Sequence, residues 1–167
     1  MIMEPKPLLN AKGLTKRYGK GCPRCKESTG AVHNRNQCPH CQTVWACQGV
    51  DMQIHSREGL GIVGESGSGK STVLKLLHFD MEADGGEMFL HREQENDGDL
   101  FALSSFRKRQ LRNASMGIVY QHPHLGLRMS VSSGGNIAER LLMAGWRNVG
   151  DMRERAAGLL ERTEVPV

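Results

Sequence analysis

Apolar residues in this chain come in short runs separated by glycine and polar breaks, and the spacing within each run sets the element expected there. Residues 8–18, LLNAKGLTKRY, read as a strand ending on the aromatic Tyr18, closed by Gly19 and Gly21. From Cys22 to Cys47 the periodicity is lost. Pro, Asn, Gln, Arg and Cys dominate, a composition too polar to bury a core unaided, so residues 20–47 are expected as an insertion. Val50, Met52 and Ile54 alternate as a half-buried strand, and residues 56–59 turn. Leu60–Val63 predict a short buried strand running into a glycine-rich loop. Val73, Leu74, Leu76 and Leu77 have helical spacing; Asp84-Gly85-Gly86 then turns the chain into a strand near Glu87–His91. Arg92–Asp99 predicts a polar surface loop, Phe101–Arg112 a helix with a basic face, and Met116–Tyr120 a buried strand ending at Gln121. Two helices follow, one with Ile137, Leu141 and Leu142 on its apolar face, the other with Met152, Ala156, Leu159 and Leu160. The mixture is α/β.

Length and composition narrow this pattern. At 167 residues the chain has the size of one domain with a sizeable core. Its 22 Lys+Arg against 18 Asp+Glu leave +4, too small and scattered a charge to argue for nucleic acid or an anionic membrane. No apolar run approaches the ~20 residues of a membrane span, so no direct membrane insertion is expected. MIMEPKPLLN lacks the basic end and apolar stretch of a secretory leader, which makes a cytoplasmic protein the expectation. Five cysteines in a compartment that keeps thiols reduced point to metal or redox chemistry before disulfides. Glycine is the other excess, 20 residues, or about 12% against ~7% on average.

Much of that glycine is local. Gly64-Glu65-Ser66-Gly67-Ser68-Gly69-Lys70-Ser71 satisfies G-x-x-x-x-G-K-[ST] between an expected strand and an expected helix, the setting in which this motif cradles nucleotide phosphates. Glycines let backbone N–H groups turn inward around phosphate oxygens, and the helix N-terminus adds partial positive charge. Lys70 is expected to reach the β/γ-phosphates of ATP, Ser71 to ligate Mg2+ through its hydroxyl, and Thr72 to assist at the helix start. The bland alternative, a glycine turn with no ligand, is disfavoured by those flanks.

The cysteines are local too. Cys22-Pro-Arg-Cys25 and Cys38-Pro-His-Cys41 are two C-x-x-C knuckles separated by twelve residues, close to the spacing of a four-cysteine zinc site. Four thiolates would give Zn2+ a closed tetrahedron, so the metal would fold the segment without catalysing, and the formal charge would drop from +4 to about +2. A redox disulfide pair and an insertion that binds nothing are the alternatives. His33 and His40 are expected to face solvent, and Cys47 to be a small buried hydrophobe beside Trp45.

With the loop in place, GLGIVGESGSGKST at 59–72 resembles the ATP-binding subunits of ABC systems, whose fold is α/β on a P-loop NTPase core. The resemblance implies that Tyr18, in LTKRYG, is the aromatic that stacks on adenine. It likewise makes Gln121, after MGIVY, the glutamine near Mg2+ and the attacking water, and hence the catalytic candidate. Within the family, QHPHLGLRMSVSSGGNIAERLL at 121–142 is similar to the K-type ATP-binding subunits of phosphonate (carbon–phosphorus) lyase systems. Oligopeptide-importer subunits share the glycine loop but differ after the glutamine. The resemblance covers 8–19 and 48–167, a partial ATP-binding domain over 1–167 with the cysteine insertion outside it. Family members also carry an LSGGQ signature, a strand ending in Asp-Glu and a switch histidine, none of which occurs here. Ser132-Ser133-Gly134-Gly135-Asn136 imitates the signature too soon after Gln121, and reads instead as a turn leading into a helix with a serine N-cap. Without the carboxylate strand, this chain alone is expected to bind ATP and hydrolyse it poorly or not at all. The implied partners are a second copy or a partner ATPase at full length, and a carbon–phosphorus lyase core complex or a membrane permease.

Other classes compete less well. Some ABC ATPases of DNA repair carry C-x-x-C zinc elements, but this insertion offers only Arg24, Lys26 and Arg35 to a nucleic acid. Arg107-Lys108-Arg109 with Arg112 is expected as a solvated face, and His122 and His124 as idle loop residues. An adenylate-kinase-like transferase with a zinc lid has its glycine loop ahead of its cysteines, the reverse of the order here.

Overall fold

The computed structural model describes residues 6–92, 95–96 and 98–165. They divide into two compact units, split between Ser104 and Ser105.

The first unit is a sheet with one helix against it. Strands β1 (Leu9–Tyr18), β2 (Val44–Ile54), β3 (Gly85–Arg92) and β4 (Glu95–Asn96) lie in the order β2-β1-β3-β4, every pair antiparallel. In register, Leu9 faces Ile54 on one side and Leu90 on the other, while Tyr18 faces Val44. Between β1 and β2 lies the cysteine segment with a single helical turn, α1 (Cys25–Ser28). Helix α2 (Lys70–Leu77) docks through Val73 and Leu76, which share a core with Leu14 of β1 and Cys47 of β2. Val50, Met52, Leu77, Met81 and Phe101 pack around it. Each such aliphatic, fully buried, contributes about 1.5–3 kcal/mol. Asp99 accepts from the Met88 and Phe101 amides, both at 3.0 Å, tying β3 to a short 3-10 turn at Leu100–Ala102.

The second unit holds α3 (Ser105–Ala114), α4 (Ser133–Met143) and α5 (Val149–Arg162). Serine capping of α4 is as expected: Ser132 Oγ accepts from the Gly135 amide at 3.2 Å. Asn148 caps α5 in the same way through Gly150. Met152 and Ala156 of α5 are buried, while Leu142 of α4 stays 47% exposed. Among the described residues no helix is long and apolar enough to cross a membrane.

Several expectations need correction. Leu60–Val63 and Met116–Tyr120 are not buried strands: both are irregular, with Val63 92% and Val119 86% exposed. A strand must hydrogen-bond its backbone to a neighbour, and among the described residues no strand pairs with either segment. Strand β2 starts six residues earlier than the alternation at Val50 suggests, so Val44–Cys47, the end of the segment 20–47, belong to the sheet. The helix expected at Phe101–Arg112 is broken at Leu103 into the 3-10 turn and α3. Of the acidic run, Glu93, Gln94 and Asp97 lie outside the described residues.

Candidate functional site

The glycine loop leads directly into α2. Gly69, the N-cap, has φ +95° and makes no side-chain cap, and the first helical bond runs from the Val73 amide to the Gly69 carbonyl at 3.0 Å. The amides of Lys70, Ser71 and Thr72 therefore precede the helical ladder and carry the positive end of the helix dipole. Gly69 has to be glycine: a Cβ there would overlap the carbonyl of Ala46 in β2. The loop is thus pressed onto β2. Lys70 Nζ donates to the Gly64 carbonyl at 2.8 Å, the Glu65 carbonyl at 2.6 Å and Ser68 Oγ at 3.3 Å, which folds its ammonium back over the loop. This cradle of amides with a cation above it fits a polyphosphate. A cavity of about 550 Å³ runs along it, lined by Ala46, Val50, Leu60, Val63, Lys70 and Val73 among others. The Ser71 hydroxyl is exposed at the helix start.

Tyr18 ends β1 half-exposed, its hydroxyl 3.6 Å from Met81 Sδ. That end of β1 is fastened to the turn before β3. Lys16 Nζ lies 3.4 Å from Asp84 Oδ2 and donates to the Glu82 carbonyl at 2.7 Å, and the Arg17 amide donates to the same Asp84 oxygen at 2.8 Å.

The four knuckle cysteines converge as their spacing predicts. All four sulfurs lie within 4.8 Å of one another, with close pairs at 3.3 Å (Cys25–Cys41), 3.6 Å (Cys22–Cys25) and 3.8 Å (Cys22–Cys38). A tetrahedron with metal–sulfur bonds of ~2.3 Å has sulfurs about 3.8 Å apart, so the donor set fits a metal such as zinc. The Cys22 amide donates to Cys25 Sγ at 3.1 Å, and Cys25 and Cys38 are buried beside Trp45. Burial pushes the Cys22 thiol up to about 12 and raises that of Cys25, whereas the Thr43 hydroxyl, hydrogen-bonded to Cys41 Sγ at 3.3 Å, draws Cys41 down to about 6. A metal would have to displace the protons that burial holds on Cys22 and Cys25. His33 and His40 are exposed, as expected. Cys47 is buried, as expected, but in the core with Leu14 and Val73, where burial raises its thiol pKa.

The structure places Tyr18, the glycine loop and the cysteines in the first unit and Gln121 in the second, where it is exposed at a bend. The Ser132–Asn136 turn has a local architectural role. Asn136 Oδ1 accepts the Arg128 amide at 2.8 Å, while its Nδ2 donates to the Arg128, Val131 and Ser132 carbonyls. Two residues escaped the sequence reading: Thr43, 1% exposed, whose hydroxyl also accepts the Gly21 amide at 2.9 Å, and Ala46, which walls the loop. Thr43 lies two residues after Cys41 of the second knuckle, the one hint the sequence held.

Comparison with known proteins defines the class. The family model described as ABC transporter matches residues 47–166, and the chain belongs to that family as an ATP-binding domain. Over 117 residues it is 44% identical to the putative phosphonates utilization ATP-binding protein PhnK of Escherichia coli, covering 70% of this chain and 44% of that protein. It is 31% identical over 163 residues to the dipeptide transport ATP-binding protein DppF of Haemophilus influenzae, covering 96% and 43%. The lipoprotein-releasing system ATP-binding protein LolD of Shewanella frigidimarina is 41% identical over 83 residues, covering 50% and 33%. The chain thus spans less than half the length of these curated relatives. The ATP-binding cassette MJ0796, solved as a post-hydrolysis dimer with ADP and Pi, superposes with a TM-score of 0.71 at 22% identity over 95% of this chain and 58% of that one, establishing the shared α/β ABC ATPase fold.

Proposed function

We propose that this chain is the nucleotide-binding part of an ATP-binding subunit serving phosphonate breakdown. The observation that carries the nucleotide reading is the uncapped N-terminus of α2, held against β2 at Gly69 with Lys70 folded over the loop. The phosphonate assignment rests on the likeness to PhnK. In this reading the amides of 65–72 take the β- and γ-phosphate oxygens, and Lys70 exchanges its carbonyl acceptors for phosphate. Ser71 would hold Mg2+, which would supply charge neutralisation to the phosphates, and Gln121 keeps the catalytic role that the resemblance implies. Tyr18 stacks on adenine. Hydrolysis is assigned to the full-length dimer or its partner ATPase, acting with a lyase core complex.

The four cysteines are assigned to structural zinc, which makes residues 20–43 a knuckle inserted into one ATP-binding domain and suits a compartment that keeps thiols reduced. A second reading, an oligopeptide-type importer subunit working with a permease, is favoured by the DppF likeness, which extends over 96% of the chain. ATP affinity of the wild type and of Lys70→Ala tests the nucleotide reading. Charge-assisted hydrogen bonds of about 1.5–3 kcal/mol predict a loss of roughly 10- to 150-fold, and equal affinities would sink it. Elemental analysis should return one zinc per chain.

A further inference from the structure

The cysteine cluster, the end of β1 and the phosphate loop all meet the stretch from Cys41 to Ala46, which leads into and begins β2. Cys41 is one of the four clustered sulfurs. Thr43 joins that cluster to the start of the knuckle, because its buried hydroxyl is shared between Cys41 Sγ at 3.3 Å and the Gly21 amide at 2.9 Å. Val44 is paired with Tyr18 and Trp45 with Arg17, whose guanidinium sits 5.8 Å from the indole centroid. Ala46 supports Gly69. Beyond Ala46 the sheet is held independently: Cys47 lies in the core with Leu14, Val73 and Leu76.

Loosening the knuckle would therefore release Tyr18 from Val44 and stop short of Ala46, because Lys16 and Arg17 stay tied to Asp84 and Cys47 to that core, leaving the phosphate loop in place. The buried residues of the knuckle are few, chiefly Cys25, Thr29, Cys38 and Thr43, too few to order the segment without a cross-link.

We propose that a metal held by Cys22, Cys25, Cys38 and Cys41 sets the affinity of the adenine half of the nucleotide site, by fixing the hairpin end that carries Tyr18 through the Thr43 hydroxyl. Thr43 is a positioning residue. The inference rests on the assignments of Tyr18 to adenine and of the cysteines to a metal. Because coupling between two ligands is reciprocal, ATP must tighten metal binding by the same factor.

The test uses the full chain, zinc-loaded or stripped by a chelator that is then removed, at equal Mg2+. Calorimetry measures ATP and inorganic tripolyphosphate, which has no base. Stripping should weaken ATP by about fivefold or more, the lower end of ordinary couplings, and leave tripolyphosphate unchanged. On the wild type, competition with a chromophoric chelator should show zinc held more tightly with ATP but not with tripolyphosphate. Thr43→Val, of similar shape, should still take up one zinc yet lose the ATP difference. Equal ATP affinity in both forms overturns the proposal. So does parallel weakening of both ligands, which would make the metal a general stabiliser of the unit. Failure of the loaded chain to bind tripolyphosphate refutes the phosphate-loop reading, and failure to take up zinc refutes the metal reading. Either removes the inference, with its own signature.

Discussion

A methyl group at Gly69 is the sharpest perturbation of the phosphate loop. The backbone there is left-handed at φ +95°, and a Cβ would overlap the Ala46 carbonyl, a backbone atom of β2 flanked by Trp45 and Cys47, which are both paired with β1. Two penalties add: about 1–2 kcal/mol for an L-residue in that conformation, and about 1–3 kcal/mol for overpacking against β2. Gly67→Ala isolates the first, since φ is +81° but nothing lies within 4 Å of the added carbon. Gly59→Ala carries neither, having no positive φ and open space around it. The expected destabilisation is thus roughly 2–5 kcal/mol for Gly69→Ala, ~1–2 kcal/mol for Gly67→Ala and about zero for Gly59→Ala. Trp45, buried in the first unit, reports its unfolding in urea once the exposed Trp146 is replaced by Phe. ATP affinity should fall in the same order, because the strain relaxes by lifting the α2 amides off β2. A Gly69→Ala protein no less stable than Gly67→Ala would refute the contact between loop and strand.

Three further outcomes are expected. Cys47 should make the first unit less stable in alkali. Its thiol ionises near 9.0 when unfolded and at higher pH when buried, so the folded chain retains the extra proton between the two values. Melting temperature of zinc-loaded protein should accordingly be flat below pH 8 and drop through that window, with a slope that Cys47→Ala removes; an unchanged slope would disprove the assignment. Iodoacetamide should modify Cys41 of stripped protein, its thiol drawn down to about 6, well before the buried Cys47, as read by peptide mapping. Ser132→Ala should lower the stability of the second unit by about 1 kcal/mol through loss of the α4 cap, measured by hydrogen exchange at the start of α4.

The local chemistry was legible in the sequence. G-x-x-x-x-G-K-S, the paired C-x-x-C turns and the serine before α4 are short-range patterns whose geometry follows from neighbouring residues, and each is found as such. Pairing was not legible. Leu60–Val63 and Met116–Tyr120 have the composition of strands, but an apolar run becomes a strand only beside a partner, and composition does not say where that partner is. The start of β2 was hidden for the opposite reason: Trp45 and Cys47 looked like part of a cysteine-rich insertion, whereas the sheet claims them through their pairing with Arg17 and Lys16. The hydroxyl of Thr43 had no signal of its own, because its partners, Gly21 and Cys41, lie far from each other along the chain.

The direct pairing of Tyr18 with Val44 has one more consequence. Residues opposite each other in an antiparallel ladder have Cα atoms about 4.5–5.5 Å apart, so the excursion from 19 to 43 leaves and rejoins the sheet at almost one point. A two-residue turn could close the same gap with the ladder in register, and lengthening such a loop carries only a logarithmic entropic penalty. The knuckle is therefore a detachable cassette: it could be gained, lost or transplanted to another hairpin of this kind as one uninterrupted stretch of gene, with a compensating change in the sheet at Trp45, which packs against Cys25 and Cys38.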